Sequence, residues 1–283
     1  MIYSDNLIRK QLARTLKKIN TMNANDFIIK ELYAPSVYLL KSPGKLLRPA
    51  LVFIGAKIIG EEKQDYTNLA SAIELIHVSS LIQDDIIDNS STRRGIAAVH
   101  VKYGSDIAML TIDALISKAV SFAAAYGKEV MESLSRAALE MCAGELIDAK
   151  LASKSTSIKQ YLTAAELKSA SLIGTSLSIA AIHKKSPLVQ RLYRIGLFAG
   201  LAFQIRDDVL DFLEGEPDLK GASVIDIIKH DGKRSRPAIK QAVKINNEYI
   251  DKALALADTL PKNSGQMLLI KHLKEIRLNQ QSF

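Results

Sequence analysis

Residues 79–88 read Ser79-Ser80-Leu81-Ile82-Gln83-Asp84-Asp85-Ile86-Ile87-Asp88, and residues 203–211 read Phe203-Gln204-Ile205-Arg206-Asp207-Asp208-Val209-Leu210-Asp211. Each stretch ends in the pattern D-D-x-x-D. On a helix, side chains four apart stack on one face, so Asp84 sits over Asp88 and Asp207 over Asp211. At about 100° per residue, Ile73, His77, Ser80 and Leu81 share the first stripe, and Gly196, Gly200, Phe203 and Gln204 share the second. Both acidic pairs thus prolong faces that turn inward. Stacked carboxylates repel, and carrying them toward an apolar interior is costly unless a cation compensates. Oxygen-only ligation favours a hard ion, and magnesium characteristically joins a few carboxylates to phosphate oxygens while keeping its waters. The spacing predicts two acidic helices facing one another across a diphosphate held by bridging ions. The bland reading, two solvated acidic faces, needs the same coincidence twice, each time on an apolar stripe and ahead of a basic loop. An EF-hand is excluded because its spacing and its glycine are missing.

Outward from these motifs, apolar residues keep the helical period through Leu7/Leu12/Leu16, Leu69/Ala72/Ile73/Ile76, Leu134/Ala138/Met141 and Leu254/Ala257. Strand alternation is not sustained anywhere. Breaks fall near Tyr33 to Pro49, Gly60 to Thr67, Asn89 to Ser105, Ser153 to Ser157, Lys184 to Pro187, Glu214 to Pro237 and Pro261 to Gly265. The expected fold is all-α, a bundle of about ten helices around a central cavity, in one domain spanning residues 1–283. The longest irregular segments, Asn89 to Ser105 and Glu214 to Pro237, directly follow the two acidic clusters, and long loops in compact domains are commonly functional.

Composition narrows the function classes. At 283 residues and 48% hydrophobic, the chain can bury a large core, which excludes disorder. A net charge of +8 favours an anionic partner, but aromatic residues, at 6%, do not interleave with the basic clusters, which argues against nucleic acid. Cys142 is the only cysteine, so no intrachain disulfide exists and the natural setting is a reducing compartment, the cytoplasm. The amino terminus has no apolar signal core. Apolar stretches are interrupted by Lys57 or Asp113, or fall short of the ~20 residues a bilayer requires, so no transmembrane segment is expected.

Basic groups complete the site. Arg93-Arg94 follows the first acidic cluster, and Lys220, Lys229, Lys233, Arg234 and Arg236 follow the second. Gly44-Lys45-Leu46-Leu47-Arg48-Pro49 sets a lysine and an arginine in a turn before a helix, where backbone amides and the helix dipole also favour an anion. His77, two turns before Asp84, reads equally as a helix-packing histidine.

Together these pieces resemble the trans-polyprenyl diphosphate synthase family, in order, from about Gly44 to Pro237. The resemblance rests on Gly44-Lys45-x-x-Arg48-Pro49, Glu74-Leu75-Ile76-His77, the first acidic motif, Arg93-Arg94-Gly95, Gly144-Glu145-x-x-Asp148, Leu167-Lys168-Ser169-Ala170 and the second acidic motif. It implies head-to-tail condensation of isopentenyl diphosphate with an allylic diphosphate. By matching position, Lys45, Arg48, His77 and Arg94 would bind isopentenyl diphosphate. Arg93, Lys168, Ser169, Gln204, Lys220 and Lys233 would contact the allylic diphosphate, with Arg93 and Lys168 also acting in catalysis. Asp84, Asp88 and Asp207 would be the principal ligands of magnesium, up to about three ions, with Asp85, Asp208 and Asp211 completing the coordination. Between Lys220 and Pro237 the spacing is wider than in typical relatives.

The resemblance also implies a homodimer, for which Ile107 to Phe122 is a candidate interface helix; burial of that helix within the monomer is the alternative. In this family a bulky aromatic at the positions of Ser79 and Ser80 floors the product tunnel. Two serines there imply a tail of about twenty carbons or more, with Ile76, Met109, Ile112 and Phe122 as deeper stops. Two other readings remain: a class I terpene cyclase, which would have no use for Lys45 and Arg48, and a non-catalytic subunit of a heteromeric synthase.

Overall fold

The computed structural model describes residues 5–42, 44–151, 157–214, 223–230 and 235–279. Helices α1 (Asn6–Asn20), α2 (Lys30–Tyr38), α3 (Leu47–Ile58) and α4 (Thr67–Ile87) lead to a two-residue β-hairpin, β1 (Thr92–Arg93) and β2 (Ile96–Ala97). Then come α5 (Val99–Tyr103), α6 (Ser105–Ala123), α7 (Lys128–Leu151) and α8 (Ile158–Ala165), followed by one π-helical turn (Glu166–Ala170). The remainder is α9 (Ser171–His183), α10 (Val189–Glu214), α11 (Val224–His230), α12 (Ser235–Ala257) and α13 (Ser264–Ile276). The all-α expectation holds. There are more helices than expected because short α2, α5 and α11 occupy stretches read as irregular. Pro35 does not end α2: it is buried with Val37, and packing against α6 outweighs the lost backbone bond.

Two long helices set the frame. α4 packs against α6, α3 and α1, while α10 packs against α9 and α12. Their apolar faces meet in one core that includes Phe53 and Ile54 of α3, Ile73 and Leu75 of α4, Leu177 of α9 and Ile195 of α10. Each such side chain contributes about 1.5–3 kcal/mol by burial. A second apolar cluster joins Tyr161 of α8, Ile205 and Val209 of α10, Val224 and Ile228 of α11 and Val243 of α12. Buried Ser71, Thr111, Ser176 and Ser178 return their hydroxyls to carbonyls of their own helix, which lets neighbouring helices approach closely without stranding a donor.

One break was not legible. Gly127, at φ 98°, separates α6 from α7 within a stretch that has no proline. Residues Ser105–Tyr126 are also long and apolar enough, by length and composition, to cross a membrane, contrary to expectation. In the fold, α6 buries Ala108, Leu115 and Ala119 against its neighbours and leaves Met109, Leu110, Ile116 and Val120 exposed. One face of Ile107 to Phe122 is thus buried within the monomer, and the other is an exposed apolar surface.

Candidate active site

The carboxyl-terminal halves of α4 and α10 wall a cavity of about 1150 Å³, closed by α7, α8, the hairpin, the start of α3 and the end of α13. His77, Ser80, Leu81 and Asp84 line it from α4, Asp88 from the cap that ends that helix, and Phe203, Gln204, Asp207, Asp208 and Asp211 from α10. The ends of both stripes therefore turn inward, as the helical period predicts, and line one cavity. Gly196 and Gly200, higher on the second stripe, serve the contact of α10 with α9 and the π turn instead.

Asp84 is held by cations of the protein itself. Lys168 Nζ lies 2.8 Å from Asp84, 2.8 Å from Asp148 and 3.0 Å from Glu145. Burial opposes the ammonium charge, but Asp84 and Asp148 outweigh it and push its pKa up. Lys168 owes its position to the π turn, a local irregularity that often marks functional sites. Gly144 of α7 makes room for that turn, since a Cβ there would stand 2.2 Å from the Lys168 backbone nitrogen. Arg93 donates from Nη2 to Asp84 at 2.9 Å and from Nε to Asp85 at 2.7 Å. Asp85 is fully buried, does not line the cavity, and keeps one oxygen, Oδ2, without a hydrogen-bond partner. Desolvation, then the charge of Asp84, raises the pKa of Asp88.

The hairpin carries both arginines. Arg94 (φ 53°) and Gly95 (φ 75°) form its two-residue turn, with Arg93 paired to Ile96. Two consecutive positive φ values are the mark of a type I′ turn, which glycine suits and arginine tolerates poorly. Arg94 is held there by donation from Nη1 to the Ser42 carbonyl at 3.0 Å, and by Glu74, 3.9 Å from Nη2. Gly44 gives it space, since a Cβ at that position would meet the guanidinium at 2.8 Å.

On the α3 side, Arg48 Nη1 lies 3.1 Å from His77 Nε2. Arginine can only donate, so Nε2 is the acceptor and the imidazole is neutral. Burial, then Arg48 and Arg94, hold the His77 pKa well below the ordinary histidine value. Burial likewise lowers Arg48 to about 10, and its Nε is buried without a hydrogen-bond partner. Glu74, 3% exposed, is pushed up to about 7 by burial, against the pull of Arg94 and Arg48. Lys45 is exposed at the mouth of the cavity.

On α10, burial raises Asp207 to about 6, with Arg206 opposing and Asp211 adding to the shift. Burial also raises Asp208 to about 6, against hydrogen bonds from Val224, Gln204 and Tyr161. Ser169 Oγ donates to Gln204 Oε1 at 3.1 Å. Ser80 lines the cavity, whereas Ser79 is 3% exposed and returns its hydroxyl to the Ile76 carbonyl, a helix-packing residue. Lys220 and Lys233 lie outside the described residues. The sequence assigned no role to Glu74, Glu145, Asp148 or Tyr161, although the first three stood inside quoted motifs.

The sequence profile of the polyprenyl synthetase family matches residues 29–269. The chain belongs to this family. Among curated relatives, the heptaprenyl diphosphate synthase component 2 of Geobacillus stearothermophilus is 29% identical over 278 residues, 83% of this chain and 85% of that protein. A prenyl transferase of Porphyra purpurea is 35% identical over 257 residues, covering 86% of this chain and 79% of that one. Among solved structures, the geranylgeranyl pyrophosphate synthetase of Geoglobus acetivorans superposes with a TM-score of 0.86 at 25% identity, covering 99% of both chains. This polyprenyl synthetase is therefore a prenyltransferase, and its activity is trans-prenyl chain elongation. Enzymes of this family generally use magnesium.

The residues present fit such an ion. Asp84, Asp88, Asp207 and Asp211 supply hard carboxylate oxygens to the same cavity, and burial raises the pKa values of Asp88 and Asp207. Among the described residues, no three acidic, imidazole or thiol groups converge closely enough to hold a metal alone. An ion here has to complete its shell with phosphate oxygens and water, which is how magnesium commonly binds.

Proposed function

We propose that this synthetase joins isopentenyl diphosphate to an allylic diphosphate and releases a polyprenyl diphosphate of about twenty carbons or more. The observation that carries the reading is one cavity lined by two chemically distinct regions, each suited to an anion. One is acidic and cation-dependent, between Asp84/Asp88 and Asp207/Asp211; the other is built from Arg48, Arg94, His77 and Lys45.

Asp84, Asp88 and Asp207, with Asp211, would hold magnesium, which supplies Lewis-acid stabilisation of the charge gathering on a departing diphosphate. Arg93 and Lys168 stand beside the same carboxylates and can turn toward phosphate oxygens, adding fixed positive charge where the allylic bond breaks. Ser169 and Gln204 border that diphosphate. Arg48, through its unpartnered Nε, and Arg94 hold isopentenyl diphosphate so that its double bond faces the ionising carbon. His77 Nε2 already accepts from Arg48, so it is not the base. The released diphosphate takes the proton, and the new allylic chain is one isoprene unit longer. Ser80 leaves the tail a path down the α4 wall.

The uncovered face of α6, with Leu139 and Leu146 exposed on α7, supports a homodimer. A lone exposed Cys142 supports a reducing, cytoplasmic setting. The relative named as a component 2 keeps a heteromeric assembly as the second reading. Purified protein incubated with labelled isopentenyl diphosphate, several allylic primers and magnesium should lengthen the primer unaided. Inactivity until a second subunit is added would favour the heteromer, and a cyclised product without isopentenyl consumption would favour a terpene cyclase.

A further inference from the structure

The middle aspartate of the second motif is engaged from three directions. Gln204 Nε2, one turn earlier on α10, donates to Asp208 Oδ1 at 3.0 Å. The Tyr161 hydroxyl of α8 and the Val224 amide of α11 both donate to Oδ2, at 2.9 and 2.8 Å. Asp208 is 5% exposed and Tyr161 4%. A carboxylate offers about four lone-pair sites, and three of these are filled by protein donors at good distance. Oδ2 is thus fully engaged, and only one site on Oδ1 remains: a metal ion held by both oxygens would have to displace a buried hydroxyl or an amide, each costly to strand.

The same bonds form a line through the site. Asp208 fixes the Gln204 amide, so that Nε2 faces the carboxylate and Oε1 faces Ser169 Oγ. Tyr161 lies on the helix that runs into the π turn bearing Lys168 and Ser169. Val224 opens α11. One side chain therefore ties α8, α10 and α11 together and sets the orientation of the Gln204–Ser169 pair.

We infer that Asp208, together with Tyr161, is a positioning residue that locks the allylic wall of the cavity and is not a metal ligand. This rests on the proposed role of the second motif, and the two ideas separate experimentally. Magnesium-dependent binding of inorganic diphosphate would be measured by calorimetry for Asp207→Asn, Asp208→Asn and Tyr161→Phe. Amide hydrogen exchange over residues 224–230 and steady-state kinetics would be followed in the same proteins.

Asp207→Asn should weaken magnesium-dependent binding by about tenfold or more, whereas Asp208→Asn and Tyr161→Phe should stay within about threefold of the parent. The latter two should exchange faster over residues 224–230. They should also raise KM for the allylic diphosphate by about tenfold, with KM for isopentenyl diphosphate unchanged. Loss of magnesium-dependent binding in Asp208→Asn equal to that in Asp207→Asn would overturn the inference, as would unaltered exchange in both anchor variants. Unchanged binding in Asp207→Asn would sink the metal reading of the motif alone, since exchange and the KM split still decide the anchor.

Discussion

Gly144 touches the backbone that presents Lys168, and a single methyl group tests how much depends on that contact. A Cβ at position 144 would stand 2.2 Å from the Lys168 nitrogen, 2.6 Å from its Cα and 2.8 Å from the Leu167 carbonyl carbon. Ordinary carbon contacts need about 3.5 Å, so α7 and the π turn would have to part by roughly 1 Å. Overpacking of this kind costs about 1–3 kcal/mol and should lower Tm by several degrees. Lys168 Nζ now sits 2.8 Å from Asp84 and from Asp148, and a ~1 Å error in a positioned group costs about 100-fold in rate. Gly55→Ala supplies the comparison, because a Cβ there would meet the Leu177 carbonyl oxygen at 2.1 Å, in the contact of α3 with α9. Thermal unfolding and steady-state kinetics well below both transitions should show similar losses of stability, but a fall of about 100-fold in kcat/KM for the allylic diphosphate only in Gly144→Ala. Equal kinetic losses in the two variants, or a destabilised Gly144→Ala with parental kinetics, would refute the claim that the π turn positions Lys168.

Asp84→Ala and Asp207→Ala should each fold and lose turnover by orders of magnitude; near-normal rates in both would remove them from the metal site. Ser80→Phe should shorten the product seen by chromatography, and an unchanged chain length would count against a tail running along the α4 wall. Glu74 is raised to about 7 by burial, so the fold prefers its protonated form. Its stabilising share is complete below the unfolded value near 4.5 and is lost as pH rises through about 7, on the order of a few kcal/mol. Metal-free Glu74→Gln should therefore show a flatter fall in Tm between pH 5 and 8 than the parent, and identical profiles would argue that Glu74 is ionised throughout.

The two acidic walls were legible because their residues fall on the 3.6-residue period of long helices, where a stripe of His77, Ser80 and Asp84 has only one way to face. The arginine hairpin was not, since strands of two residues show no alternation and Arg94 is an unusual choice at positive φ. The π turn escaped for a related reason: one extra residue shifts the phase only after Ala165, and apolar residues continue on both sides. Glu74 and Tyr161 read as ordinary helix residues, because their value lies in partners 20 to 47 positions away, Arg94 and Asp208. Asp208 illustrates the opposite limit. A motif treats its three aspartates alike, while on the helix about 100° separates Asp207 from Asp208, enough to bring Asp208 alone, at the edge of the cavity, within hydrogen-bond reach of α8 and α11.

The tight turn at residues 94 and 95 sends neighbours in the chain to different walls of one cavity. Arg93 reaches the first acidic wall and Arg94 the pocket of Ser42 and Glu74, yet their α-carbons are only about 3.8 Å apart. The spacing of the two guanidinium groups is therefore tied to one peptide unit, so the hairpin behaves as a caliper whose jaws are set by peptide geometry. Lengthening it by a single residue would leave every charge in place and spoil the gauge.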